Sequence, residues 1–163
     1  MSLRRLVLSL AALAVVVSGL AACASSGAAK EVTVFHGAPT ATVDLVTDGA
    51  ATPGDVRVFS AQLTDASGAA IGNLRGTLTT TEVAASGDEI RSAYLICSFA
   101  KPEDQLVIGG ESSYPKDATT IAPGTAVIRP VIGGSGIYAG ARGWAETFHN
   151  ADGSWRHVFH LLP

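Results

Sequence analysis

The sequence predicts an all-β domain built as an eight-stranded antiparallel closed barrel, and three observations carry that expectation. β-Branched and aromatic residues fall in short runs broken by Gly, Pro, Asp and Asn, with no amphipathic helical pattern of useful length between them. Asp65-Ala66-Ser67-Gly68 and Asn150-Ala151-Asp152-Gly153 join consecutive runs as tight hairpins, because Gly, Asn and Asp tolerate the positive φ that such turns demand. Glycines also sit inside or at the ends of the runs, among them Gly72, Gly76, Gly109, Gly110, Gly133, Gly134, Gly136, Gly140 and Gly143, where they mark the bulges and corners of a curved sheet.

Before the barrel comes a leader. Arg4 and Arg5 precede an apolar run over residues 6–17, which is shorter than the roughly 20 residues a membrane-spanning helix needs, and no stop-transfer pattern follows. The adjacent arginines are by themselves a weak sign of twin-arginine export. Leu20-Ala21-Ala22-Cys23 resembles the bacterial lipoprotein box, which implies removal of residues 1–22 and acylation of Cys23. Residues 23–30, rich in Ala, Ser and Gly, bury little and read as a flexible tether. Residues 31–163 then form one domain, held to the membrane at the cell envelope on its extracytoplasmic side.

Within that domain the runs expected as strands are 32–36, 42–46, 56–64, 71–81, 91–99, 105–111, 126–132, 140–148 and 155–161. In the third run Arg57, Phe59, Ala61 and Leu63 share one face, and Val56, Val58, Ser60 and Gln62 the other. Neither face is wholly polar, so the outside is expected to be partly covered by a helix, a subunit or a neighbouring loop. Closure removes the exposed edges that would invite aggregation, and it leaves a lumen that side chains or one small ligand can fill.

Composition narrows the function. Loss of Arg4 and Arg5 with the leader takes the basic residues from 11 to 9 against 14 acidic ones, a formal charge of −5, and leaves no basic patch. Nucleic-acid binding, which needs clustered cations, is therefore not expected. With Cys23 committed to lipid, Cys97 stands alone in the apolar run Tyr94-Leu95-Ile96-Cys97 and reads as a small buried hydrophobe. Gly133-Gly134-Ser135-Gly136 lacks the lysine and the following helix of a phosphate cradle, and no Gly-x-Ser-x-Gly elbow occurs. His36, His149, His157 and His160 read as solvated or core-edge residues, because the spacing of three sends His157 and His160 to opposite faces of one strand; no metal site is expected.

The order of motifs from Gly54 to the C-terminus resembles the allene oxide cyclase and dirigent protein superfamily. The carrying stretches are Gly54-Asp55-Val56-Arg57-Val58-Phe59-Ser60 with Leu63 and Asp65, then Ile71-Gly72 and Gly76, then Leu106-Val107-Ile108-Gly109-Gly110. Most specific is Val131-Ile132-Gly133-Gly134-Ser135-Gly136-Ile137-Tyr138-Ala139-Gly140-Ala141-Arg142-Gly143. The resemblance implies an eight-stranded barrel, commonly trimeric, whose apolar cavity steers a reactive intermediate without a cofactor. Ala61 stands where allene oxide cyclases place an asparagine, and Glu31 lies at the tether instead of clearly inside a barrel, so that particular cyclisation is not implied.

Expected ligand contacts are Phe59, Ala61, Leu63, Trp144 and Glu146. Trp144, Glu146 and Phe148 share a strand face, and if that face lines the cavity, desolvation suits Glu146 to proton transfer. Asp44, Arg57 and Arg91 are the further catalytic candidates, by analogy with the acids and arginine around dirigent cavities. The function expected is a lipid-anchored barrel that binds an apolar small molecule and exerts dirigent-like or cyclase-like control of it. The alternative is a non-catalytic binding or structural lipoprotein of the envelope.

Overall fold

The computed structural model describes residues 30–46 and 49–163. The expected leader, Cys23 and the expected tether up to residue 29 lie outside the described residues; Lys30, the last residue assigned to that tether, instead opens the first strand. The strands are β1 (Lys30–His36), β2 (Thr40–Leu45), β3 (Val56–Thr64), β4 (Ala70–Val83), β5 (Glu89–Phe99), β6 (Gln105–Tyr114), β7 (Thr125–Ser135), β8 (Gly143–His149) and β9 (Trp155–Leu161).

All pairings are antiparallel and run in the order β1-β9-β8-β7-β6-β5-β4-β3-β2, and β1 returns to β3 where Phe35 lies opposite Thr64. β2 covers the other end of β3, from Thr40 opposite Ser60 to Leu45 opposite Val56. β1 and β2 thus share one place in the ring, broken at Gly37-Ala38-Pro39, and the nine strands close as an eight-position barrel.

The strands coincide with the runs read from the sequence, with informative changes at their ends. β4 and β5 are longer than expected and meet through a turn in which Ala84 N–H donates to the Asp88 carbonyl at 2.8 Å, which brings Glu89 into the sheet. β8 begins at Gly143 and not at residue 140, because Gly136–Tyr138 forms a single 3₁₀ turn and the chain loops before rejoining the sheet. Gly143 re-enters at φ 138°, and a Cβ there would lie 2.0 Å from the His160 carbonyl oxygen, so the strand start admits no side chain. At the hairpin tips the carboxylates of Asp65 and Asp152 accept the backbone N–H groups of Ser67 and Ser154 at 2.8 and 2.9 Å.

Inward side chains divide the lumen into two halves. At one end Leu63, Cys97, Leu106, Ile108 and Phe159 are fully buried and fill the axis. At the other end, formed by the starts of β3, β5, β7 and β9, the inward positions carry Arg57, Glu89, Arg91, Arg129, Trp155 and His157. Arg57 and Arg91 bond to Glu89, Arg129 bonds to Tyr114, and these groups stay along the wall and leave the axis open.

Candidate functional site

The open half holds a cavity of about 400 Å³ that reaches solvent beside Val43 and Asp44. That is the size range of a small-molecule site. One wall is apolar, made by Phe59, Leu74, Leu78 and Leu95 on β3, β4 and β5. Phe59 lies flat over Gly76, where an added Cβ would stand 2.3 Å from the ring, so glycine at that position lets the ring withdraw from the axis. The opposite wall, on β7, β8, β9 and β1, carries Arg129, Thr147, His149, Trp155, His157 and His36.

The register places His149, Trp155 and His36 side by side across three strands. The Trp155 ring stacks between the two imidazoles at centroid distances of 4.3 and 5.8 Å, almost parallel to both. His149 donates from Nδ1 to the Ile121 carbonyl at 2.7 Å, which holds its ring in this stack. A flat aromatic plate thereby borders the cavity.

Behind the plate runs a chain of hydrogen bonds whose direction is set by chemistry. His36 Nδ1 is 2.6 Å from the Gly37 carbonyl, which only accepts, so Nδ1 carries the proton. Neutral His36 then accepts at Nε2, and the donor is His157 Nε2 at 3.0 Å. That leaves His157 Nδ1 to accept from the Thr147 hydroxyl at 2.9 Å. Both rings are held neutral. Burial pushes His157 down to about 3, with further repulsion from His36 and Arg129, and burial lowers His36 against the opposing effect of the Gly37 carbonyl. The chain from Thr147 through His157 to His36 ends on the Gly37 carbonyl, so it fixes both tautomers and leaves the Thr147 oxygen to accept from a ligand.

Two arginines lie buried near the cavity, in opposite circumstances. Arg91 is gripped by Glu89 at 2.7 and 3.0 Å, donates to the Thr119 and Ala118 carbonyls at 2.9 and 2.7 Å, and stacks on Tyr114. Its hydrogen bonds hold the Glu89 carboxyl below the usual range. Arg129 donates from Nη2 to the Tyr114 hydroxyl at 2.8 Å, but its buried Nε has no partner. Among the described residues no carboxylate pairs with it.

The residues singled out from the sequence separate on this frame. Asp44, Arg57 and Arg91 converge through Glu89: Arg57 reaches Asp44 at 3.9 Å and Glu89 at 3.4 Å, and Glu89 clasps Arg91. Asp44 and Arg57 border the cavity, whereas Arg91 is a buried brace behind Tyr114. Phe59 lines the cavity, but Ala61 and Leu63 lie beyond it in the packed half. Trp144 and Glu146 are on the outer face, because Ala145 and Thr147 are the inward residues of β8. Trp144 stacks on His160 and Glu146 is 3.4 Å from the same imidazole, so this pair corrects the expected cavity contacts.

His157 and His160 do point to opposite faces, yet His36, His149 and His157 converge as buried lumen residues and not as solvated ones. Stepping by two back along β9 from Phe159 reaches His157 and Trp155, which was the available signal. Arg129 had a signal too: a lone charge between Val127 and Val131 on an apolar face. Cys97 is fully buried, and burial raises its thiol to about 12, consistent with packing and not nucleophilic attack. Among the described residues no three His, Cys, Asp or Glu side chains converge on a metal position.

No protein-family model and no curated protein matches the chain. Solved structures do match its architecture. Pyocyanin demethylase superposes with a TM-score of 0.60 at 20% identity, over 80% of this chain and 99% of that one. AbnU, an exo-specific intermolecular Diels-Alderase, superposes at 0.58 with 16% identity, over 83% and 98%. The Diels-Alderase AbmU from Streptomyces koyangensis gives 0.59 and 18%, over 82% of this chain and 65% of that one. What they share is the barrel. At these identities the likeness establishes fold and leaves chemistry to the side chains.

Proposed function

We propose that this protein is an exported barrel, anchored to the membrane through acylated Cys23, that takes an apolar small molecule into its lumen and controls its reaction without a cofactor, as cyclases and dirigent proteins do. The observation that carries this reading is the half-filled barrel, in which four large apolar side chains face an aromatic and hydrogen-bonding wall across an open cavity. The cyclase and Diels-Alderase barrels of the same fold support it. Holding one near-attack conformer against Phe59, Leu74, Leu78 and Leu95, while excluding water, lowers the barrier to a ring closure. Thr147, whose proton goes to His157 Nδ1, presents its hydroxyl oxygen as an acceptor for a donor group on the reacting molecule.

The same proposal includes the allene oxide cyclase and dirigent kinship and assembly into trimers, for which Tyr94, Ile128, Ile132 and Trp144 offer exposed apolar surface. A second reading, non-catalytic carriage, is favoured by one feature: the only carboxylate that borders the cavity among the described residues is that of Asp44, a half-exposed side chain at the mouth.

The test uses the uncharged fluorophore phenylnaphthylamine. It should bind the full chain with one site per barrel and quench Trp155, and Leu78→Trp, which fills the cavity, should abolish binding. Absence of binding, or binding indifferent to that substitution, overturns the proposal. Extraction of the native protein from membranes, followed by mass spectrometry, reports subunit number, acylation at Cys23 and any retained ligand. A linear precursor returned unchanged after incubation favours the carrier.

A further inference from the structure

We infer that Arg129 is an anion-recognition residue, so that the cavity's ligand is not simply apolar but carries one anionic oxygen group, of carboxylate or enolate character, on an apolar body. This deepens the reading above and rests on it.

The argument begins with the contrast between the two buried arginines. Arg91 is wholly compensated by Glu89 and two backbone carbonyls, and it serves as a brace. Arg129 is 2% exposed, yet its partner is only the neutral hydroxyl of Tyr114, and its Nε is a buried donor with nothing to donate to. Burying a guanidinium is costly, and an uncompensated donor inside a protein calls for an explanation.

The neighbouring groups do not supply the missing charge. His157 is held neutral in part by Arg129 itself, Thr147 directs its proton to His157, and Tyr114 already accepts one of the guanidinium's bonds. Arg129 borders the cavity, so the remaining source of negative charge is the cavity's contents. A planar guanidinium matches a two-oxygen or conjugated oxyanion better than it matches a point acceptor.

Across the axis Phe59, Leu74, Leu78 and Leu95 present only hydrocarbon. A ligand with its anionic oxygens on Arg129 and its apolar body against that wall satisfies both sides. The placement also has a chemical consequence. Negative charge developing on a bound enolate is stabilised by a guanidinium already held at the cavity wall.

Two fluorophores with one aromatic body separate this inference from the broader one: phenylnaphthylamine, uncharged, and anilinonaphthalene sulfonate, anionic. With the full chain the anionic probe should bind about tenfold or more tighter. Arg129→Met should erase that preference, with the loss falling on the anionic probe while the uncharged probe still binds. Arg129→Gln, which keeps a donor for Tyr114, is the second variant should the first fold poorly. Removal of an uncompensated buried charge should leave the melting temperature of Arg129→Met equal to or above that of the parent, whereas Arg91→Met should lower it. Equal affinities in the parent, or a preference that survives both variants or persists when Leu78→Trp fills the cavity, overturn the assignment while the cavity reading stands. Failure of both probes to bind overturns the cavity reading and this inference with it.

Discussion

At the scale of single residues the site is governed by which side chains must stay neutral. His157 is buried without a counter-charge, and its value falls from an ordinary 6.5 to about 3. A histidine whose folded value is depressed binds fewer protons folded than unfolded, so its contribution is complete above 6.5 and is lost as pH falls toward 3. His36 shifts in the same direction. Glu89 also has a lowered folded value, but it begins to act only near its ordinary 4.5, so the interval between 6.5 and 4.5 isolates the histidines. Thermal melts across that interval should show the parent losing about 1 kcal/mol per pH unit through His157, with His36 adding in the same direction, and His157→Gln should flatten the slope. An unchanged slope in the variant would mean that His157 is not the neutral buried group described above.

At the scale of elements, the long β4–β5 hairpin and the end of β6 do more than complete the sheet. Extending β5 back to Glu89 and β6 on to Tyr114 assembles the Arg57, Glu89, Arg91 and Tyr114 network that frames the cavity mouth. Glu89 and Arg91 are both almost completely buried, so deleting the acid strands a cation. Glu89→Ala should cost about 3–5 kcal/mol in denaturant unfolding. Replacing the pair together with apolar residues should cost much less. The hairpins themselves were readable from turns that carry Asp65 with Gly68 and Asn150 with Asp152-Gly153, and the strands from their alternation. The strand ends were not, because Glu89 and Tyr114 belong to β5 and β6 through cross-strand bonds that local composition does not announce.

At the scale of the whole molecule, the barrel is a solid core joined end to end with a vessel. Leu63, in the packed half, is surrounded on all sides, whereas Leu78 already borders open space. Leu63→Ala should therefore destabilise by about 2–5 kcal/mol, and Leu78→Ala by clearly less, since it enlarges a void instead of creating one. Urea unfolding of the two variants side by side checks this. Equal losses would show that the cavity closes in solution.

The all-β class, nearly every strand and both tight hairpins were legible in the residues alone, because strand periodicity, turn chemistry and glycine placement are local properties; the two faces of β3 were separable by alternation, but which of them points inward was not. The sequence also contained each residue of the site. It took the closed barrel to bring His36, His149 and His157 together, to set Arg129 against the cavity with no acid paired to it among the described residues, and to turn Trp144 and Glu146 outward. Those outcomes depend on the register with which distant strands close the ring and on which half of the lumen bulky side chains fill. Both are set by packing across the barrel, which no single run of residues encodes.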